Sequence, residues 1–242
     1  MKVTAYGDHV LQLTRLPRVF PVNCYLVKED DGFTLIDASI SGSAGAILAV
    51  ARKLNTPIVR IALTHAHGDH VGALDQLHHA LPDAEVLIST REARFLAGDR
   101  SLDPTEPQIK LRGQWKTCAT QPTGLLAPGD RVGSLAVIAA PGHTPGQIAF
   151  YDLRDGSLIA GDAFQTRGGV AVAGTVVPLF PFPAMGTWHK ELSLHTAQAL
   201  RALGPTRLAI GHGAVLEDPL SAMDTAIKSA QRRLGKQAPH GA

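Results

Sequence analysis

The stretch from Ile58 to Gly72, I-V-R-I-A-L-T-H-A-H-G-D-H-V-G, constrains this chain more than any other. Ile58 to Leu63 is a short β-branched and apolar run, the pattern of a buried strand. It ends in a turn where His65, His67, Asp69 and His70 offer three imidazoles and a carboxylate, the nitrogen and oxygen donors that zinc and related transition metals prefer. Side chains on an extended strand repeat with period two, so His65 and His67 can point the same way. Asp69 and His70 follow the turn and open the next helix, with Gly68 and Gly72 letting the backbone curl, so they can reach a second position beside the first. Two adjacent metals are geometrically feasible. Packing alone seldom sets four donors directly behind a buried strand.

A chain of 242 residues can bury one large core or two small ones, and no linker-like composition divides it. One domain over residues 1–234 with a flexible polar tail at 235–242 is expected. The formal charge of +2 leaves no electrostatic footprint for nucleic acid, which favours a small-molecule substrate. The N-terminus lacks the apolar core of a secretory signal and no run is long enough to span a bilayer, so no membrane partner and a cytoplasmic location are expected. Cys24 and Cys118 lack C-x-x-C spacing, which argues against a disulfide framework or a thiolate zinc site. The oligomeric state stays open, a homodimer included.

In chain order, Val3–Tyr6, Val10–Leu16, Val22–Val27 and Phe33–Asp37 read as antiparallel strands. Ile47, Val50, Ala51 and Leu54 recur at helical spacing, and Val71, Leu74, His78 and Leu81 form the inner face of a helix after the ligand turn. Val86–Ile88 is a strand, and Thr90 caps a helix to about Ala97. Residues 98–124 form a polar, proline-rich excursion with one helical turn around Ile109–Trp115, either a lid or a packed loop. Strands within Leu125–Ala140 lead to P-G-H-T-P-G and His143, and a hairpin over Ile148–Ala160 leads to Asp162. A second excursion, 163–187, is rich in Gly, Pro and Phe, and a helix carrying Leu192, Thr196, Ala199, Leu200 and Leu203 on one face follows it. The strand Arg207–Ile210 delivers His212, and Asp218 caps a last helix with Pro219 at its first position. Two halves, each with strands first and helices outside, suggest two sheets packed face to face between helical layers.

The strand ends at His65, His143, Asp162 and His212 each present a donor beside a small residue, as a rigid scaffold must if it is to converge ligands from distant sequence. With H-A-H-G-D-H in this order, the chain resembles the metallo-β-lactamase superfamily from its first strands to its last helix. The resemblance implies an α+β fold, a four-layer αββα sandwich, and a dinuclear centre. His65, His67 and His143 would bind one metal, Asp69, His70 and His212 the other, and Asp162 would bridge them. Two divalent ions are implied, zinc first, with manganese or iron as alternatives. Two cations sharing a water lower its pKa enough to give hydroxide near neutral pH, and the second metal would hold the substrate oxygen. Asp69 would be the catalytic residue, moving a proton to the leaving group, with Asp37 and Thr64 supporting the ligand loop.

Within that superfamily, Asp162 counts against an antibiotic-degrading β-lactamase and His67 against the flavodiiron branch. An ester, lactone or thioester hydrolase remains, similar to the acyl-homoserine lactonases and to glyoxalase-II-like thioesterases. A non-hydrolytic iron persulfide dioxygenase shares the ligand set. The Tyr that lactonases place after the bridging Asp is missing, and so is the C-terminal helical domain of the glyoxalase-II type. Phe164, Gln165, Phe180, Phe182, Trp188 and His189 are the candidate pocket residues, with Arg167 also within the excursion.

Overall fold

The computed structural model of the chain describes residues 1–237. Its first sheet runs in sequence order through β1 (Lys2–Tyr6), β2 (Val10–Arg15), β3 (Val22–Glu29), β4 (Gly32–Ile36), β5 (Ile58–Ala62), β6 (Glu85–Ser89) and β7 (Gly124–Leu126). The first four are antiparallel, and β4 to β7 are parallel. The second sheet has the order β15 (Leu216–Glu217), β14 (Arg207–Ala209), β11 (Ser157–Ile159), β10 (Ile148–Asp152), β9 (Leu135–Ala139), β8 (Arg131–Val132). A two-stranded ribbon, β12 (Phe164–Gln165) and β13 (Ala171–Val172), stands apart from both. The helices are α1 (Ala44–Lys53), α2 (Gly68–Val71), α3 (Leu74–Ala80), α4 (Thr90–Leu96), α5 (Phe182–Gly186), α6 (Lys190–Ala202) and α7 (Leu220–Gln237).

Period two explains the layering. Every residue of β3 from Val22 to Val27 is buried, because both faces of the strand are covered. Cys24 and Leu26 join a cluster with Ile47 of α1, Leu74 and Leu77 of α3 and Phe95 of α4, while Tyr25 and Val27 point the other way, into a cluster with Val137, Ile148 and Phe150 of the second sheet. Across that sheet, Leu158 and Leu208 turn outward to meet Leu200 of α6 and Met223 of α7. Three apolar clusters thus separate four layers, helix, sheet, sheet, helix. Each fully buried Leu or Phe contributes about 1.5–3 kcal/mol by leaving water.

Several local expectations need correction. No helical turn forms at Ile109–Trp115; that segment is irregular and is tied by a backbone bridge between Trp115 and His67. The helix after the ligand turn is broken at Gly72–Ala73, and Leu77 is buried where His78 was expected. Ser89 caps α4 by accepting the Glu92 amide, one residue before Thr90. Strand β7 pairs with β6 and so belongs to the first sheet. Asp218 adopts a left-handed backbone, φ 48°, and the Pro219 carbonyl takes the first helical bond of α7, from Met223. That helix continues to Gln237, past the expected boundary at Leu234; residues 238–242 of the expected tail lie outside the described residues. Among the described residues no helix is long and apolar enough to cross a membrane. Both cysteines are buried thiols.

Candidate metal centre

The site forms where strand ends of the two sheets meet. Chain leaving β4 supplies Asp37, chain leaving β5 supplies Thr64 and His65, and chains leaving β9, β11 and β14 supply His143, Asp162 and His212. Parallel pairing of β4 with β5 and of β11 with β14 sends these donors to one rim. Cross-sheet bonds fix the rim: the Ile148 amide donates to the Thr64 carbonyl at 3.0 Å and the Asn23 amide to the Gly211 carbonyl at 2.9 Å. The Tyr25 hydroxyl, which donates to the Ile210 carbonyl at 2.7 Å, and Asn23 Nδ2, bonded to the Ile210 and Gly213 carbonyls, grip the turn that carries His212.

Each of five imidazoles has one ring nitrogen anchored outward. His70 Nδ1 donates to Asp37 Oδ2 at 2.7 Å and His212 Nδ1 to the Pro21 carbonyl at 2.8 Å. His67 Nε2 donates to the Arg112 carbonyl at 3.0 Å. The Thr64 hydroxyl gives its one proton to Asp37 and so accepts from His65 Nδ1, and the Thr187 hydroxyl, bonded to the Pro183 carbonyl, accepts from His143 Nδ1. These bonds fix which nitrogen of each ring faces inward; on a neutral ring that nitrogen carries a lone pair, and on a protonated one it carries the proton a cation would displace. The inward His67 Nδ1 and His143 Nε2 are 3.0 Å apart, two acceptor ends with no proton of their own to share.

The inward atoms gather into overlapping sets whose members lie within 4.8 Å of one another: His65, His67 and His143; His65, His70 and Asp162; and Asp69, His70 and His212. Asp162 lies between the two expected subsites, its Oδ1 3.3 Å from His70 Nε2 and its Oδ2 3.5 Å from His143 Nε2 and 3.2 Å from His212 Nε2. Buried His65 Nε2, His70 Nε2 and Asp162 Oδ1 have no hydrogen-bond partner. Orphaned donor atoms of this chemistry, facing one another, fit a divalent cation.

Electrostatics divide the cluster. Burial, reinforced by neighbouring imidazoles, holds His65 well below the ordinary histidine range. Burial likewise lowers His67 to about 4 and His143 to about 3, against the pull of the carboxylates. His70 and His212 are buried too, but Asp162 with Asp37 raises the first, and Asp162 with Asp69 raises the second to about 10. Asp69 and Asp162 stay ionised because these imidazolium partners outweigh burial. At neutral pH one side of the site is therefore free of protons, whereas a cation on the other would have to displace them.

His67, Asp69, His143, Asp162 and His212 floor a cleft of about 750 Å³, with His65 and His70 buried behind them; Phe20, Phe182 and Met185 are its apolar members and Ser41, Gln114 and Lys116 polar ones. Of the expected pocket residues, Phe182 alone lines it. Phe164 is buried against α6 and α7, Gln165 is buried with its amide on the Phe180 carbonyl, and Phe180 lies behind the rim between Phe20 and His212. Trp188 is buried with its indole N–H on the Ile109 carbonyl, and His189 caps α6 by accepting the Leu192 amide. The 188–189 backbone instead braces the His143 loop, through amides donated to the His143 and Gly142 carbonyls.

Several residues that shape the site escaped the sequence reading. Pro21 and Arg112 act through carbonyl groups, which every residue has, so no residue type could mark them. Gly113 was detectable only as a glycine in an irregular run: at φ +86° its missing Cβ would lie 2.3 Å from His67 Nε2. The excursion at 109–116 is thus a packed loop: the Gly68 amide bonds the Gln114 carbonyl at 2.7 Å and the Trp115 ring rests 4.5 Å from the His67 ring.

The family model described as the metallo-beta-lactamase superfamily matches residues 17–212. The chain is 49% identical over 233 residues to the uncharacterized protein YobT of Bacillus subtilis, covering 96% of this chain and 100% of that one. It is 30% identical to the probable metallo-hydrolase YflN of the same organism, covering 79% and 80%. It is also 30% identical to a hydroxyacylglutathione hydrolase of Aeromonas salmonicida, over 60% of this chain and 47% of that one. The solved structure of TTHA1623 in a di-iron-bound form superposes with a TM-score of 0.63 at 27% identity, covering 87% and 96%. The matched span contains all the converging histidines and aspartates, and the chain belongs to the metallo-beta-lactamase superfamily.

Proposed function

We propose that this chain is a hydrolase that uses two divalent metal ions, zinc in preference to manganese or iron, to cleave a small ester, lactone or thioester. The observation that carries the reading is the set of five imidazoles, each anchored outward and aimed inward at two carboxylates on the floor of an open cleft. The metallo-hydrolase and hydroxyacylglutathione hydrolase relatives support hydrolysis in general, and the latter supports a thioester in particular.

His65, His67 and His143 would hold one ion, Asp69, His70 and His212 the other, with Asp162 shared. When bound, such ions supply Lewis acidity for a substrate oxygen and lower the pKa of water. The protein supplies the rest. Asp69 faces the cleft and is held ionised, with Oδ2 3.2 Å from His212 Nε2, so its carboxylate can take a proton from water and return it to the leaving group. Phe20, Phe182 and Met185 offer apolar contact to a substrate, and Ser41 and Gln114 offer hydrogen bonds.

The test is hydrolysis by zinc- or manganese-reconstituted protein, following acid release from a medium-chain acyl-homoserine lactone beside thiol release from a glutathione thioester. Turnover of either, abolished in Asp69→Asn, supports the reading and selects the branch. Silence on all ester, lactone and thioester substrates, with oxygen uptake on a persulfide by iron-loaded protein, would overturn it for the dioxygenase alternative.

A further inference from the structure

The two ligand-bearing turns, 64–70 and 142–147, come from different sheets, yet one buried side chain outside the ligand set touches both. Glu92, in the first turn of α4 and fully buried, accepts the Ala66 amide on Oε2 at 2.8 Å and the Gly146 amide on Oε1 at 2.9 Å. Ala66 lies between His65 and His67, and Gly146 follows His143 by three residues.

Local sequence makes this placement notable. Ser89-Thr90-Arg91-Glu92 has the spacing of a capping box, in which the glutamate would turn back to the N-cap amide. Half of the box forms: Ser89 Oγ accepts the Glu92 amide at 3.1 Å. The carboxylate turns instead toward the site. Ser89 Oγ also donates to the Gly146 carbonyl at 2.7 Å, so both polar groups of the Gly146 peptide are held by the start of α4. The approach is close enough that a Cβ on Gly146 would fall 2.5 Å from Arg91 Cβ and 2.9 Å from the Glu92 nitrogen.

We propose that Glu92 is the positioning residue of the three-histidine subsite, its carboxylate clamping the His65/His67 turn to the His143 turn at the spacing one cation requires. This rests on the two-metal reading above. A carboxylate has two acceptor oxygens for the two amides, whereas a carboxamide has one, so Glu92→Gln keeps the volume and must release one turn.

Stepwise cobalt titration of the full chain, followed by absorption, tests it, with the three-histidine equivalent identified as the one lost in His143→Ala. In E92Q that equivalent should weaken by about 10- to 100-fold while the other stays within about threefold. Leu96→Ala, a buried core change in the same helix, should lower the melting temperature and leave both affinities at the wild-type level. Unchanged affinities in E92Q, or parallel weakening of both, would overturn the proposal. Should E92Q fold too poorly to titrate, Ser89→Ala, which releases the Gly146 carbonyl and the capped Glu92 amide while leaving the carboxylate in place, should weaken the same equivalent several-fold; no selective change there would overturn it as well. Failure of the wild-type chain to take up stoichiometric metal is a separate result, seen without any substitution, and would overturn the two-metal reading itself.

Discussion

Replacing Asp37 by Asn isolates what the buried charge behind the site does. Asp37 lies in the left-handed region at φ 63°, where Asn is among the best tolerated residues, so the backbone need not move. The carboxylate accepts the Thr64 amide at 2.8 Å, the Thr64 hydroxyl at 2.9 Å and His70 Nδ1 at 2.7 Å. An amide can keep the Thr64 bonds through its oxygen, but its NH₂ then faces His70 Nδ1–H, and two donors meet. His70 escapes only by giving up its Nδ1 proton and keeping one on Nε2, the atom that should receive a metal. Losing a charge-assisted bond costs about 1.5–3 kcal/mol, which at about 2–4 °C per kcal/mol lowers the melting temperature of metal-free protein by roughly 3–12 °C. The same cost, paired with the wrong tautomer, weakens metal uptake by about 10- to 100-fold. Thermal unfolding after chelation, together with zinc titration against a competing chelator, measures both. An Asp37→Asn protein with wild-type zinc affinity would refute the tautomer argument even if its melting temperature fell.

Other perturbations follow from the same geometry. Gly113→Ala places a Cβ in the space of His67 Nε2 and strains a left-handed residue by about 1–2 kcal/mol, so turnover should fall more than tenfold; wild-type turnover would show that the loop yields freely. Phe150→Ala, at the sheet–sheet interface, should cost about 3–5 kcal/mol in denaturant unfolding, and a loss under about 1 kcal/mol would contradict the assignment of that cluster. Metal-free protein should be most stable near pH 6.5. Below it, an unfolded chain binds protons that native His67 and His143, at about 4 and 3, refuse; above it, the native chain retains on His212, up to about 10, a proton the unfolded chain has released. Stability should therefore fall in both directions, and a melting temperature that is flat in chelated protein between about pH 5 and 9 would contradict these shifts.

How much of this was legible depended on where the information sits. Four donors packed between His65 and His70 behind an apolar run announce a turn that gathers metal-type donors, because short-range geometry decides both strand and turn. His143, Asp162 and His212 were legible only as a set, each beside a glycine at a strand end. Layering was readable from the two halves that each set strands before helices, but not at β7, whose three residues carry no preference for either sheet. The pocket was misjudged because aromatic content says nothing about direction: Phe164 and Trp188 are as apolar as Phe182, yet tertiary packing turns them inward. Supporting groups escaped for a different reason. The carbonyls of Pro21 and Arg112 have no side-chain signature, and the local spacing of Glu92 suits a capping residue and gives no sign of another role. Its actual partners are 26 and 54 residues away.

A cleft that works through two metal ions must lose its activity with them and regain it as they return. The most direct measurement is to strip the chain with a chelator, add zinc back in known equivalents, and record hydrolysis of the lactone or thioester at each step. Activity absent in the stripped protein and rising to a plateau at two equivalents per chain is the predicted result. Turnover that survives complete stripping, or that saturates with no metal retained by the His65→Ala protein and the wild-type protein alike, would contradict it.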